Sequence, residues 1–154
     1  MALKLYYKDE DDIFQEVSVG NLSSPVETIH DGKTGDVQTK QLFVKNDDST
    51  LWYSNIVISP IDLVDPNPYG DIIYTETGWG VKLSSGEDEP SESEWDDIRW
   101  GEEIVIEDIG SDSSGDSVYY YPFWYLITCP PNTNAKVKTD IVLNVAYTEN
   151  VVIV

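Results

Sequence analysis

The residues able to do chemistry in this chain are few, apart from its acids. His30 is the only histidine and Cys129 the only cysteine among 154 residues. A Ser–His or Cys–His pair, or a histidine metal site, would have to be built around His30. That residue precedes Asp31-Gly32, a turn signal, and reads as a surface turn residue. Cys129 ends an apolar run before Pro130-Pro131 and reads as a small buried hydrophobe, since a lone cysteine forms no intramolecular disulfide. No GxSxG, HExxH, CxxC or P-loop pattern occurs, and Gly78-Trp79-Gly80 is too short to cradle a dinucleotide.

Carboxylates are abundant. Glycoside hydrolysis needs two of them facing each other across a cleft, but the clusters at 9–12, 87–89, 96–97 and 102–103 read as solvated loop faces. Asp108, Asp112 and Asp116, four residues apart around a Gly/Ser-rich stretch, supply hard oxygen ligands of the kind calcium takes. Their spacing differs from that of an EF-hand loop, and the segment reads as the tip of a hairpin. The sequence thus predicts no enzyme, no metal and no cofactor.

Charge bounds the partners. Twenty-nine acidic against nine basic residues give a formal net charge of −20. Nucleic-acid binding rests on Lys and Arg neutralising phosphates, and scattered basic residues make no stripe for that or for an anionic membrane. Five Trp and ten Tyr exclude a disordered acidic tail, which lacks the aromatics needed for a core. The segment after Met1 becomes acidic too soon for a signal peptide, and apolar runs of three or four residues fall short of the ~20 that span a bilayer.

The elements that must position these residues are strands. Leu3, Leu5 and Tyr7 alternate with Lys4, Tyr6 and Lys8, as a half-buried strand does. Further extended stretches are predicted at 13–19, 37–45, 51–59, 72–77, 79–83, 104–109, 118–129 and 137–147. Asn46-Asp47-Asp48-Ser49 is expected to close a hairpin between the third and fourth of these strands. Pro60, Pro66, Asn67, Pro68 and Gly70 predict a long exposed crossing, because proline cannot donate to a sheet ladder. Leu42, Val44, Ile141, Leu143 and Val145 are the expected core. Ser91 followed by Glu94 has capping-box spacing and predicts a short helical turn near 91–99, with Trp95 and Ile98 on one face and Arg99 able to stack on Trp95. Short strands without βαβ alternation point to one all-β domain over 1–154, an antiparallel β-sandwich of Ig-like or jelly-roll type.

Surface apolar residues are the candidates for binding. In Tyr119-Tyr120-Tyr121-Pro122-Phe123-Trp124-Tyr125, alternate residues should fill the core while the others face out, with Pro122 marking an edge or bulge. Outward aromatics suit a protein interface or a sugar-stacking platform. The candidate contact residues are Leu3, Leu5, Tyr6 and Tyr7 of the first strand; Tyr119, Tyr120, Tyr121 and Trp124; and the apolar tail Val151, Val152, Ile153 and Val154. Four exposed aliphatics would be an aggregation hazard, so the tail is expected to pair within the domain or be covered by a neighbour.

Leu42-Phe43-Val44-Lys45-Asn46-Asp47, followed by Tyr53-Ser54-Asn55-Ile56-Val57-Ile58-Ser59-Pro60, resembles the strand pair of Ig-like modules. It resembles in particular small β-sandwich proteins of tailed bacteriophage particles. Gly78-Trp79-Gly80-Val81-Lys82-Leu83-Ser84, Pro90-Ser91-Glu92-Ser93-Glu94-Trp95 and Tyr121-Pro122-Phe123-Trp124 continue the likeness in order, across roughly residues 36–150. The resemblance implies a non-enzymatic virion component made in the host bacterial cytoplasm: a head decoration protein, or an accessory protein of the neck or tail. Its implied partners are capsid or tail proteins of the same particle, or further copies of itself. A carbohydrate-binding or adhesive Ig-like module is the alternative.

Overall fold

The computed structural model describes residues 3–18, 26–30, 36–62, 80–111, 119–129 and 136–153. Among the described residues, nine strands and one short helix follow in the order β1 (Leu3–Lys8), β2 (Phe14–Ser18), β3 (Val26–His30), β4 (Asp36–Asn46), β5 (Leu51–Asp62), β6 (Gly80–Ser85), α1 (Glu92–Asp96), β7 (Ile104–Ile106), β8 (Tyr120–Cys129) and β9 (Lys136–Val151). They form two antiparallel sheets, one of five strands in the order β2-β1-β4-β8-β6 and one of four in the order β3-β9-β5-β7. The fold is an all-β sandwich.

Alternation builds the space between the sheets. Leu3 and Leu5 from β1, Leu42 and Val44 from β4, Val81 and Leu83 from β6, and Phe123, Tyr125 and Ile127 from β8 meet Tyr53, Ile56, Ile58, Ile106, Leu143 and Val145 of the second sheet. Of the expected core residues, Leu42, Val44, Leu143 and Val145 are buried; the side chain of Ile141 lies outside the described residues.

The β1–β2 turn is held by an acid. Asp9 accepts hydrogen bonds from the backbone N–H groups of Asp11 and Ile13 and from the Gln15 side chain, and Asp12 adopts a positive φ of 62°. Asp residues favour such turns because the short carboxylate satisfies local backbone donors.

Three expectations about connectivity are corrected. The 46–49 turn closes no hairpin: β4 pairs with β1 and β8, whereas β5 pairs with β7 and β9. The chain crosses from one sheet to the other there, and Asn46, fully buried, holds the corner. Its side-chain amide donates to the carbonyls of Leu51 and Gly110, its side-chain oxygen accepts from Asp48 N–H, and its own backbone N–H donates to Tyr119. A buried polar side chain this fully satisfied specifies one geometry.

Pro60 opens no exposed crossing. It is buried within β5 opposite Leu143, past Ile58, the last β5 residue paired with β7, where among the described residues β5 pairs with β9 alone and tolerates a missing N–H. Pro122 marks no edge strand, for β8 lies between β4 and β6. Its carbonyl accepts from Gly86 N–H at 3.0 Å just past the last β6–β8 pair, Ser85 with Phe123. The absent N–H of Pro122 points to that same side, where β6 has ended, so the β4–β8 ladder loses no bond.

His30 ends strand β3, paired with Lys136, rather than standing in a turn. The helix is capped as the spacing predicts, with Ser91 and Glu94 forming both bonds of a capping box, but it is shorter, spanning Glu92–Asp96. Pro66, Asn67, Pro68, Gly70, the 72–77 strand, Asp112, Asp116 and Val154 lie outside the described residues.

Candidate outer-face binding site

The face of the five-stranded sheet turned away from the core is not a plain polar surface. Register places Tyr6 opposite Phe43, Phe43 opposite Pro122, Lys82 opposite Leu126 and Ser84 opposite Trp124 on that face. Phe43 is 4% exposed and Leu126 8%, although neither belongs to the inter-sheet core. Both faces of this sheet therefore bury apolar side chains. The sequence signal for this is the pair of unbroken runs Leu42-Phe43-Val44 and Tyr125-Leu126-Ile127, since strands covered on both sides lose their alternation.

At one end of the face the rings of Tyr6, Phe14, Phe43, Tyr119 and Tyr120 pack edge-on, with centroids 5.2 to 6.0 Å apart. Edge-to-face pairs of this kind contribute about 0.5–1.5 kcal/mol each beyond their buried area. Two lysines lie on them. Lys8 Nζ stands 5.0 Å from the Phe14 centroid and 5.1 Å from that of Phe43, and Lys45 Nζ stands 5.0 Å from that of Tyr6. Beside this shelf is a recess of about 510 Å3, bordered by Lys8, Phe43, Tyr120 and Pro122 and by the acids Asp12, Glu87, Glu107 and Asp108.

At the other end a flap formed by residues 86–101 folds across the sheet. Gly86 starts it with a φ of +121°, a conformation that a side chain rarely adopts, in a space where an added Cβ would touch nothing. Among the described residues, further hydrogen bonds fasten the flap besides the one from Gly86. Gln41 and the Trp124 indole both donate to the Glu87 carbonyl, Thr39 donates to the Glu89 carboxylate, Lys82 to the Trp95 carbonyl, and Gly101 N–H to the Val81 carbonyl.

Between flap and sheet lies a second, more apolar groove of about 560 Å3. Val37, Leu126, Trp95 and Trp100 supply its apolar walls, and Glu89, Glu92 and Asp96 stand on it with Lys82. Lys82 is 7% exposed; its ammonium lies 2.8 Å from the Trp95 carbonyl oxygen and 4.4 Å from the Trp100 ring centroid. Trp100, not Trp95, is thus the indole that carries a cation here, and the cation is Lys82 rather than the expected Arg99.

The sequence-nominated residues divide between these regions and others. Tyr6, Tyr119, Tyr120 and Trp124 are half-buried on the outer face. Leu3 and Leu5 are core residues with almost no exposed surface, and Tyr7 and Tyr121 pack against that core. The tail is elsewhere: Val151 pairs with Leu51, Val152 N–H donates to the Thr50 carbonyl, and Ile153 is 96% exposed. Sequence reasoning missed Phe43, Lys82, Leu126 and Trp100. Among the described residues there is no cluster of three or more His, Cys, Asp or Glu able to hold a metal, and no helix long and apolar enough to cross a membrane.

No protein-family model matches this chain, and no curated protein matches its sequence.

Proposed function

We propose that this chain is a non-enzymatic structural protein of a bacteriophage particle, docking on the outer capsid surface or on the neck or tail. The observation that carries the docking is the outer face of the five-stranded sheet. On a chain of net charge −20, that face gathers Lys4, Lys8, Lys45 and Lys82 together with a shelf of packed aromatics and an apolar groove. Aromatic side chains with a polar handle are the groups enriched where proteins meet. The particle itself is suggested by the motif resemblance, and the acidic skin suits an outer position away from packaged nucleic acid. The decisive experiment is sedimentation of particles lacking this protein after incubation with the purified chain. Saturable co-sedimentation supports the reading; protein left wholly in the supernatant contradicts it.

The alternative, a carbohydrate-binding module, draws on one observation, the pair of indoles at the groove. Binding on a glycan array with no attachment to particles would favour it.

A further inference from the structure

We infer that the groove between the 86–101 flap and the sheet receives an arginine or lysine side chain of the protein on which this chain docks. The inference rests on the docking reading and specifies the chemistry of the partner at one place.

The groove is built for an apolar stem with a cationic head. Val37 and Leu126 on the sheet and Trp95 and Trp100 from the flap side form its apolar lining. Among the described residues that line it, Glu89, Glu92 and Asp96 stand against the ammonium of Lys82, three negative charges against one positive. Lys82 is already committed to the Trp95 carbonyl and the Trp100 ring, and the Glu89 carboxylate holds Thr39. Glu92 and Asp96 are four residues apart on α1, so they occupy one face of the helix with their charges adjacent. Like charges so placed oppose helix formation. Asp96 also stands in the last turn, which carries no basic residue, although that end of a helix favours cations. Glu92 stands in the first turn, where a helix favours acids, but Asp96 has no such support, and a cation entering from outside relieves its conflict and the repulsion between the two. Arginine fits best, because its planar guanidinium forks a carboxylate and stacks on an indole face. A neutral sugar would leave the excess negative charge unanswered.

The test uses the full chain, labelled with nitrogen-15, and a hexapeptide of alternating glycine and arginine. Matched probes are the same peptide with glutamate in place of arginine and a chitin oligosaccharide. We expect the indole N–H signals of Trp95 and Trp100 to shift with the arginine peptide alone, less so as salt rises. The double variant Glu92→Gln/Asp96→Asn should weaken that binding by about tenfold, as loss of two charges facing a cation does. The control Glu10→Gln/Asp11→Asn, which removes the same charge from the exposed β1–β2 turn, should leave it unchanged. Equal weakening by both double variants, shifts caused by the oligosaccharide alone, or no shift at all would overturn the inference. The groove variant is also sedimented with particles. If it attaches as the unaltered chain does, the groove inference fails while the docking reading stands; if the unaltered chain does not attach, the docking reading itself fails.

Discussion

The side-chain amide of Asn46 donates to the carbonyl oxygen of Gly110 at 2.9 Å, joining residues 64 positions apart. With its second bond to the Leu51 carbonyl at 2.8 Å, this contact ties the corner where the chain leaves one sheet to the strand that follows it in the other. Asn46→Ala would strand two carbonyl acceptors and the Asp48 N–H. We expect a loss of about 2–4 kcal/mol in urea unfolding, since each buried polar group left unsatisfied costs about 1–3 kcal/mol. A cost under half of the lower figure would show that water replaces the amide at the corner.

Phe43 is buried outside the inter-sheet core, beneath Lys8 and against Phe14 and Tyr120. Phe43→Ala should cost about 3–5 kcal/mol, as much as emptying a core site of that size. Leu143→Ala, in the core proper, should cost about 2–5 kcal/mol by the same mechanism. If Phe43→Ala proved nearly neutral while Leu143→Ala did not, the outer face would be an ordinary solvent face.

Alkali should destabilise the fold before mild acid does. Burial raises the pKa of the Tyr53 hydroxyl above its ordinary 10.0, helped by its hydrogen bond to Glu149 at 3.1 Å. Burial raises Tyr6, Tyr125 and Tyr147 as well. The folded state thus holds these protons more tightly than the unfolded chain, so stability is full below about pH 10 and falls as pH rises beyond it. At the other end, Asp9 is lowered by hydrogen bonds, chiefly from the Ile13 backbone, Asp48 by those of Thr50, and Glu94 by those of Ser91. Their contribution is present above about pH 4 and lost below it. Urea midpoints measured from pH 3 to 12 should trace a plateau with both flanks falling. A midpoint that stayed level up to pH 12 would contradict the burial of these hydroxyls.

Nucleic acid should not bind. Lys4 is paired with Asp47 at 3.4 Å, Lys8 lies 3.6 Å from Asp12, and Lys82 is buried, so gathering lysines on one face still makes no phosphate-binding stripe. A gel shift at low salt, where phosphate contacts are strongest, should show no retarded band; a salt-sensitive complex at micromolar protein would overturn this.

Much of the inner face was legible in the sequence. Period-two alternation at Leu3 and Leu5, Leu42 and Val44, and Leu143 and Val145 is the direct imprint of a half-buried strand. The capping box at Ser91 and Glu94 was legible because its two bonds are local. Pairing partners were not. A polar turn such as 46–49 reads the same whether it closes a hairpin or crosses between sheets, and the bond from Asn46 to Gly110 that decides it is long-range. Pro60 and Pro122 were misplaced because a proline shows only that one N–H is missing, not which neighbour has already ended. The outer-face site escaped because its cover, Trp95 and Trp100, is distant in sequence from Val37, Lys82 and Leu126.

The most direct measurement is hydrogen exchange of the particle-bound chain compared with the free chain. Docking through the outer face should slow exchange in the 86–101 flap and in the neighbouring segments of β4 and β8, leaving β9 as in the free protein. Protection confined to β9 and the Val152–Ile153 end, with the flap exchanging as freely as before, would contradict it.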